Sequence, residues 1–167
     1  MRPESSTKHT NNIDDFMMKN KPKNSQDLSN ADTGDLTDNR LEYQQIRLSD
    51  DTVYLGNLVS GKKVGKGIIK KITGEIIYEG DFKDDLFDGN GMLYLEEGLT
   101  YTGQFVKGMK HGRGFLFSAD RSYKYTGNWL EDLKSGDGTE TYPDGSVYIG
   151  NFLLGKKDGK GNFLLII

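Results

Sequence analysis

The alternation of apolar and polar positions divides the chain into two stretches. Residues 1–42 are rich in Ser, Asn, Asp, Lys and Thr, and their apolar side chains are sparse. Such a segment buries too little apolar surface to offset the entropy lost on ordering it. We therefore predict a disordered polar tail over residues 1–42. Residues 13–18 form its one apolar island, which is either a docking peptide or an incidental cluster.

After the tail, short runs alternate strictly between the two faces of an extended chain. In residues 101–105 a tyrosine, a glycine and a phenylalanine share one face, while Thr102 and Gln104 share the other. A period of two indicates a β-strand. A turn with glycine or aspartate follows, and then a Gly-x-Gly pair opens a second run. This pattern predicts β-hairpins.

The hairpin unit recurs along the chain. Tyr-x-Gly triplets begin at intervals of 24, 23, 24 and 23 residues, and a Gly-x-Gly follows each tyrosine by eleven. A ring or a leucine also follows each tyrosine by four. Self-similarity of this kind predicts an array of stacked repeats over residues 43–167. A partial repeat covers residues 43–53, and the five repeats start at Tyr54, Tyr78, Tyr101, Tyr125 and Tyr148.

Glycine inside a strand normally weakens it. Here each Tyr-x-Gly glycine lies between two large side chains of the same face, as Gly103 lies between Tyr101 and Phe105. We therefore predict that the rings lie across the glycine gaps and form a ladder. Cross-strand ring pairs contribute on the order of 0.2–1 kcal/mol each.

The repeat resembles a known family. Tyr-x-Gly-x-Phe, a turn glycine, His-Gly-x-Gly and Asp-Gly at a period of 23 are similar to the MORN (membrane occupation and recognition nexus) repeat, most closely in residues 101–114. Leu58, Asp85 and Asp132 depart from that pattern. The resemblance covers residues 54–167. It implies an all-β fold, an elongated single-layer twisted antiparallel sheet of stacked β-hairpins.

The resemblance also implies a function. Similar repeats occur in ciliary radial-spoke heads and in protist cytoskeletal scaffolds, and where they accompany enzymes the catalysis lies in another domain. We therefore expect a non-catalytic, cytoplasmic scaffold in a cytoskeletal, ciliary or axonemal assembly.

Composition and motifs favour a non-enzyme. Cysteine is absent, so there is no thiol nucleophile, disulfide or cysteine-based metal site. The Gly-x-Gly pairs do not continue into a phosphate-binding loop. His111 has no nucleophile near it in sequence, and Asp84, Asp85 and Asp88 lack the register of a calcium loop. We predict no catalytic residue, metal or cofactor. The net charge of −3 and the lack of a long apolar run predict neither nucleic-acid binding nor a membrane span.

Membrane-surface tethering through phosphoinositides is the alternative function. Basic residues crowd the first turns of the odd repeats, but acids such as Asp85 and Asp132 occupy the same turns of the even repeats. An edge built for anionic lipid would be uniformly basic, so we favour charge pairing between repeats. The candidate lipid-binding residues are Lys62, Lys63, Lys107, Lys110, Arg113, Lys156 and Lys157.

A protein partner is the favoured ligand. A single-layer sheet leaves apolar surface exposed unless something covers it, and a twisted sheet suits a helix or an extended peptide. We predict partner binding on the aromatic face. Its residues are Tyr78, Phe82, Tyr101, Phe105, Tyr125, Trp129, Tyr148 and Phe152.

The C-terminal strand is a second candidate for assembly. It is apolar and carries no proline or charge in its last residues to protect its edge. We predict that it is covered by a strand of another protein or by the same strand of a second copy, with residues 13–18 as a third option. The edge residues are Phe163, Leu164, Leu165, Ile166 and Ile167.

Overall fold

The computed structural model describes residues 42–165, with side chains from residue 44 onward. These residues form one antiparallel sheet of eleven strands, in which spatial order follows chain order. The described range contains no α-helix, only a 3₁₀ turn at Glu96–Gly98. The strands are β1 Glu42–Arg47, β2 Thr52–Val59, β3 Lys62–Lys71, β4 Ile76–Lys83, β5 Leu86–Tyr94, β6 Leu99–Val106, β7 Met109–Ser118, β8 Lys124–Leu130, β9 Leu133–Thr141, β10 Val147–Leu153 and β11 Lys156–Leu164.

The predicted all-β sheet of stacked hairpins is confirmed. Each tyrosine of the repeat lies on the first strand of a hairpin, and each Gly-x-Gly lies on the second. Strand β1 pairs with β2 so that Ile46 lies opposite Tyr54, as Ile69 lies opposite Tyr78. The predicted tail, including residues 13–18, lies outside the described residues apart from residue 42. Residues 166 and 167 lie outside them as well.

Five two-residue turns close the hairpins. Both central residues of each turn have positive φ, which is the type I′ geometry that matches the twist of paired strands. Aspartate replaces glycine at the second turn position in two repeats, where Asp85 has φ 73° and Asp132 has φ 68°. The turns are Ser60-Gly61, Asp84-Asp85, Lys107-Gly108, Glu131-Asp132 and Leu154-Gly155.

Each tyrosine ring lies across a pair of glycines. Gly103 and Gly114 are cross-strand partners in the third repeat, and a Cβ placed on Gly114 would lie 2.4 Å from ring atoms of Tyr101. The Tyr101 hydroxyl donates a hydrogen bond of 2.9 Å to the carbonyl oxygen of Gln104 on its own strand. The other four tyrosines make the same hydrogen bond, at 3.0, 3.0, 2.9 and 3.2 Å. The ring therefore spans the space that two side chains would otherwise fill.

The first glycine of the Gly-x-Gly has a different role. Within the hairpin of the third repeat the register shifts after Gly103, which is the mark of a β-bulge. Gly112 absorbs the extra residue with φ 58°, a left-handed conformation that favours glycine. The two glycines of the motif are thus required for separate reasons, one for backbone conformation and one for space.

The rings of successive repeats form the core. Tyr101 packs edge-to-face against Phe105 of its own repeat, with ring centroids 5.1 Å apart, and against Trp129 of the next repeat at 5.2 Å. The same arrangement joins Tyr125 to Trp129 and Phe152. Edge-to-face packing at this distance suits the ring quadrupole. The predicted aromatic ladder is therefore present and runs from repeat to repeat.

We expect Gly114→Ala to destabilise the sheet by about 3 kcal/mol, since the added Cβ collides with the Tyr101 ring. The matched control is Gly61→Ala, at a turn glycine with nothing within 4 Å of its Cβ position; only its left-handed φ is penalised, by about 1 kcal/mol. Urea denaturation measures both changes. In a Tyr101→Ala background the cost of Gly114→Ala should fall below about 1 kcal/mol, and full additivity would contradict the steric account.

Candidate functional site

The predicted partner-binding rings lie together on one face, as the core of the sheet. All eight have at most 7% of their surface exposed, and Tyr78, Tyr101 and Tyr125 have none. A partner on this face would contact these rings only over a small area. Partner binding there stays a prediction, and other side chains of the same face would supply most of the contact.

Lysines cover the rings from that face. The Lys134 ammonium lies 4.7 Å from the centroid of the Tyr125 ring, and Lys157 lies 5.0 Å from that of Tyr148. Lys63 and Lys110 hold the same position over the tyrosines of their own repeats. These distances allow cation–π attraction. The sequence analysis missed this layer, although lysine recurs nine residues after the tyrosine in four of the repeats.

In the second repeat a ring replaces that lysine. Phe87 stacks on Tyr78 with centroids 3.6 Å apart and planes within 8° of parallel. It also contacts Phe105 of the third repeat edge-to-face at 5.6 Å. The position nine residues after the tyrosine thus always supplies a cover for the ring, either cationic or aromatic.

The charges of neighbouring turns pair. Lys63 Nζ lies 2.8 Å from Asp85 of the next repeat, and Lys110 Nζ lies 3.0 Å from Asp132. The backbone N–H groups of Lys63 and Lys110 donate to the same carboxylates. The hydrogen bonds from Lys63 lower the pKa of Asp85. The predicted pairing between repeats is therefore present where an odd repeat precedes an even one.

This pairing divides the candidate lipid-binding residues. Lys62, Lys63 and Lys110 form ion pairs with aspartates of the following turn. Within residues 42–165 the other four candidates have no carboxylate within 4 Å. These are Lys107, Arg113, Lys156 and Lys157.

A buried carboxylate lies between the fourth and fifth repeats. Glu140 is 7% exposed and faces Tyr148, at a position where Leu93 and Leu116 face the tyrosines of other repeats. The Tyr123 hydroxyl donates to Glu140 Oε1 at 2.6 Å. Lys134 also contacts Oε1, and the Tyr142 hydroxyl donates to Oε2. The sequence signal, an acid at an apolar position of the repeat, was available but unused.

Opposing effects act on the titration of this cluster. Burial raises the pKa of Glu140, but the hydrogen bonds from Lys134, Tyr123 and Tyr142 lower it by more, so the pKa lies below its ordinary value. Burial and the nearby carboxylate raise the pKa of Tyr123. Glu140 therefore stays ionised and paired, as a structural group of the ring face.

We expect Lys134→Met to destabilise the protein by about 3 kcal/mol at pH 7, because it leaves the Glu140 carboxylate buried without its cation. The double variant Lys134→Met/Glu140→Leu should recover to within about 1 kcal/mol of the wild type. Chemical denaturation measures both. Equal losses in the single and double variants would contradict the pairing.

The pH dependence of Glu140 has a definite sign. Its folded-state pKa is lowered, so its stabilising contribution is present above the unfolded value of about 4.3 and is lost as pH falls through the folded value. Glu140→Leu should therefore reduce the loss of stability below about pH 4. Denaturation midpoints of both proteins between pH 7 and pH 3 measure this difference.

A shallow groove runs over the opposite face. It has a volume of about 640 Å³ and crosses β6 to β10 where glycines and threonines keep the surface low. Arg113 and Asp137 line it beside Thr126 and Phe115. The sequence analysis did not predict it, because its depth depends on how side chains of five strands lie together.

In the part of the chain that the structure describes, no three His, Asp or Glu side chains are grouped so that they could hold a metal ion. His111 lies in β7 opposite Gln104. No helix of the described residues is long and apolar enough to cross a membrane. The predicted lack of catalysis stays a prediction.

The C-terminal edge strand β11 pairs only with β10 among the described strands. Leu165 is 69% exposed, and Leu164 and Phe163 are exposed to at least half of their surface. Phe163 also stacks on Tyr142, with centroids 5.9 Å apart. The two remaining predicted edge residues, Ile166 and Ile167, lie outside the described range. Coverage of this edge stays a prediction.

Comparison with known families agrees with this geometry. The family model of the MORN repeat matches residues 54–75, 78–100, 101–123, 125–147 and 148–164. These matched segments follow the five hairpins. Comparison with curated proteins gives no match. MORN repeats are non-enzymatic modules of protein and membrane interaction.

Proposed function

Because the chain belongs to the MORN repeat family, we propose that it is a non-catalytic scaffold that binds other proteins. The supporting observation is the pairing of charges between neighbouring turns, as in Lys63 with Asp85 and Lys110 with Asp132. This pairing engages basic side chains in ion pairs within the protein, whereas a membrane-binding edge would leave them free to contact anionic lipid. Protein binding is therefore the interaction that this surface fits best.

The proposal extends to the cellular setting. We place the protein in the cytoplasm, as a structural component of a cytoskeletal, ciliary or axonemal assembly. This step rests on the resemblance of the repeats to those of radial-spoke heads and protist scaffolds. The proposed partner is a helix or an extended peptide on the aromatic face, with strand pairing at β11 as a further contact.

Quantitative mass spectrometry of proteins that co-purify from native cells tests the scaffold function. Wild-type protein should retain a defined set of partners in stoichiometric amounts. The Gly114→Ala variant, whose sheet is destabilised, should lose them. Retention of no protein above background by the wild type would contradict the proposal.

Phosphoinositide tethering remains the second candidate, favoured by the four basic side chains that have no ion pair within residues 42–165. We expect weak binding to phosphoinositide vesicles, because Glu131 and Asp132 place negative charge at the turn between those of Lys107 and Lys156. Vesicle sedimentation at two salt concentrations measures it. Tight, salt-sensitive binding that is lost when Lys107, Lys110 and Arg113 are neutralised would favour the lipid function instead.

The β11 edge makes a separate prediction. Leu165→Lys introduces a charge beside an unpaired backbone edge, which disfavours strand addition. We expect this change to abolish any assembly through β11 while the first four hairpins stay folded. Analytical ultracentrifugation and circular dichroism measure the two effects. A wild type that sediments as a monomer at high concentration without a partner, and that Leu165→Lys leaves unchanged, would show that the edge is inert.

A further inference from the structure

Exposed aliphatic side chains lie at and on both sides of the hairpin turns of the third to fifth repeats. They flank the turns on the face opposite to the rings, since Val106, Leu130 and Leu153 alternate with the ring positions along their strands. Five of the six are at least 40% exposed, and Met109 is half-buried. This aliphatic stripe consists of Val106, Met109, Leu130, Leu133, Leu153 and Leu154.

The stripe consists of pairs within hairpins, and a further contact joins the fourth repeat to the fifth. Val106 pairs with Met109 across one hairpin, and Leu130 pairs with Leu133 across the next. Leu133 also reaches the following turn, because a Cβ placed on Gly155 would lie 3.6 Å from Leu133 Cδ2. A row of exposed apolar side chains at successive turns marks an interaction surface.

The choice of leucine at position 154 is not explained by the stability of the fold. It is 70% exposed, so it gains little from burial, and its φ of 49° lies in the left-handed region that β-carbons disfavour. The same turn position carries the polar residues Asp84, Lys107 and Glu131 in the preceding repeats. Strain at an exposed apolar residue points to a binding role.

The spacing of the stripe fits an α-helix. Successive hairpins lie two strands apart, which is roughly 9.6 Å at ordinary strand spacing. Seven residues of an α-helix rise about 10.5 Å. A helix lying across the strands therefore sets the apolar residues of one heptad against each hairpin over two to three repeats.

The charges beside the stripe define the partner further. Lys107, Glu131 and Lys156 are exposed next to the three successive hairpins, so the sign alternates along the stripe. The complementary helix carries acidic, basic and then acidic side chains in successive heptads. Anionic lipid would be repelled at Glu131. A second copy arranged antiparallel about a two-fold axis would set Glu131 against itself and Lys107 against Lys156.

We infer that the aliphatic stripe binds an amphipathic α-helix of a partner protein, with its charge alternating in sign from heptad to heptad. The inference rests on the proposed scaffold function and adds a second docking surface, at the turn edge of the sheet, to the contact proposed on the aromatic face. The contact is made by side chains that the fold leaves exposed, whereas the ring face is largely closed.

A designed peptide tests the inference. It has three heptads with leucine at positions a and d, and its e and g positions carry glutamate in the first and third heptads and lysine in the second. The control peptide has the same composition with the lysine heptad moved to one end. The matched peptide should bind about tenfold tighter by fluorescence anisotropy and gain helicity by circular dichroism. Equal affinities would overturn the inference.

Protein variants locate the contact. Leu130→Ser/Leu133→Ser should weaken binding of the matched peptide about tenfold. The control Ile72→Ser removes an aliphatic side chain that is more exposed, at 61%, from a turn outside the stripe and should not change peptide binding. Leu154→Gly relieves the strain of the left-handed backbone conformation, so it should raise the melting temperature of the protein. It should also lower the affinity for the matched peptide. Stabilisation without loss of binding would remove Leu154 from the interface, and loss of binding without stabilisation would contradict the argument from strain.

Two further measurements distinguish a partner helix from other molecules that could bind the stripe. Binding to phosphatidylserine vesicles that depends on Leu153 and Leu154, with no peptide binding, would assign the stripe to a membrane. Self-association abolished by Leu154→Gly would assign it to a second copy. Each of these results would overturn the proposal that the stripe binds a partner helix. If native partners co-purify equally with the wild type and with Leu130→Ser/Leu133→Ser, the scaffold function stands and the stripe proposal fails.

Discussion

The packing of one tyrosine ring across two opposed glycines is the constraint on which this sheet depends. The ring of Tyr101 occupies the space above Gly103 and Gly114, and its hydroxyl is tied to the carbonyl of Gln104 on the same strand. A side chain at either glycine would displace the ring. Because the same unit occurs five times, the sheet has a core although no second layer is described over the rings.

The ladder and the turn edge follow from that packing. A ring that lies flat over the backbone presents its edge to Phe or Trp of the next repeat, so each repeat supplies part of its neighbour's core. The repeats are thereby coupled one to the next, as expected for quasi-one-dimensional arrays. The charges of the turns add a second coupling in alternate repeats. The two lysines that pair with an aspartate of the following turn at this position, Lys63 and Lys110, are 47 residues apart, so these ion pairs are spaced by two hairpins.

The two faces of the sheet therefore differ in what they offer. One face is closed by its own rings and by the lysines above them, and it holds the buried Glu140 cluster. The other face has a shallow groove and, along the turns, exposed leucines that the fold does not use. Interaction with another molecule is most readily explained where the molecule leaves apolar surface exposed, and that surface lies beside the turns.

The sequence alone determined the repeat, its hairpins and its glycine-based packing, because period-two alternation and invariant offsets act over short distances. It also predicted the charge pairing, since turns two strands apart must be neighbours. Which side chains are buried was determined only by the tertiary structure. The rings singled out as a binding surface lie in the core, since neighbouring rings pack against them and each tyrosine is covered by a lysine or, for Tyr78, by Phe87. Glu140, the groove and the stripe depend on how side chains from several strands lie together, and spacing along one chain does not report such distances.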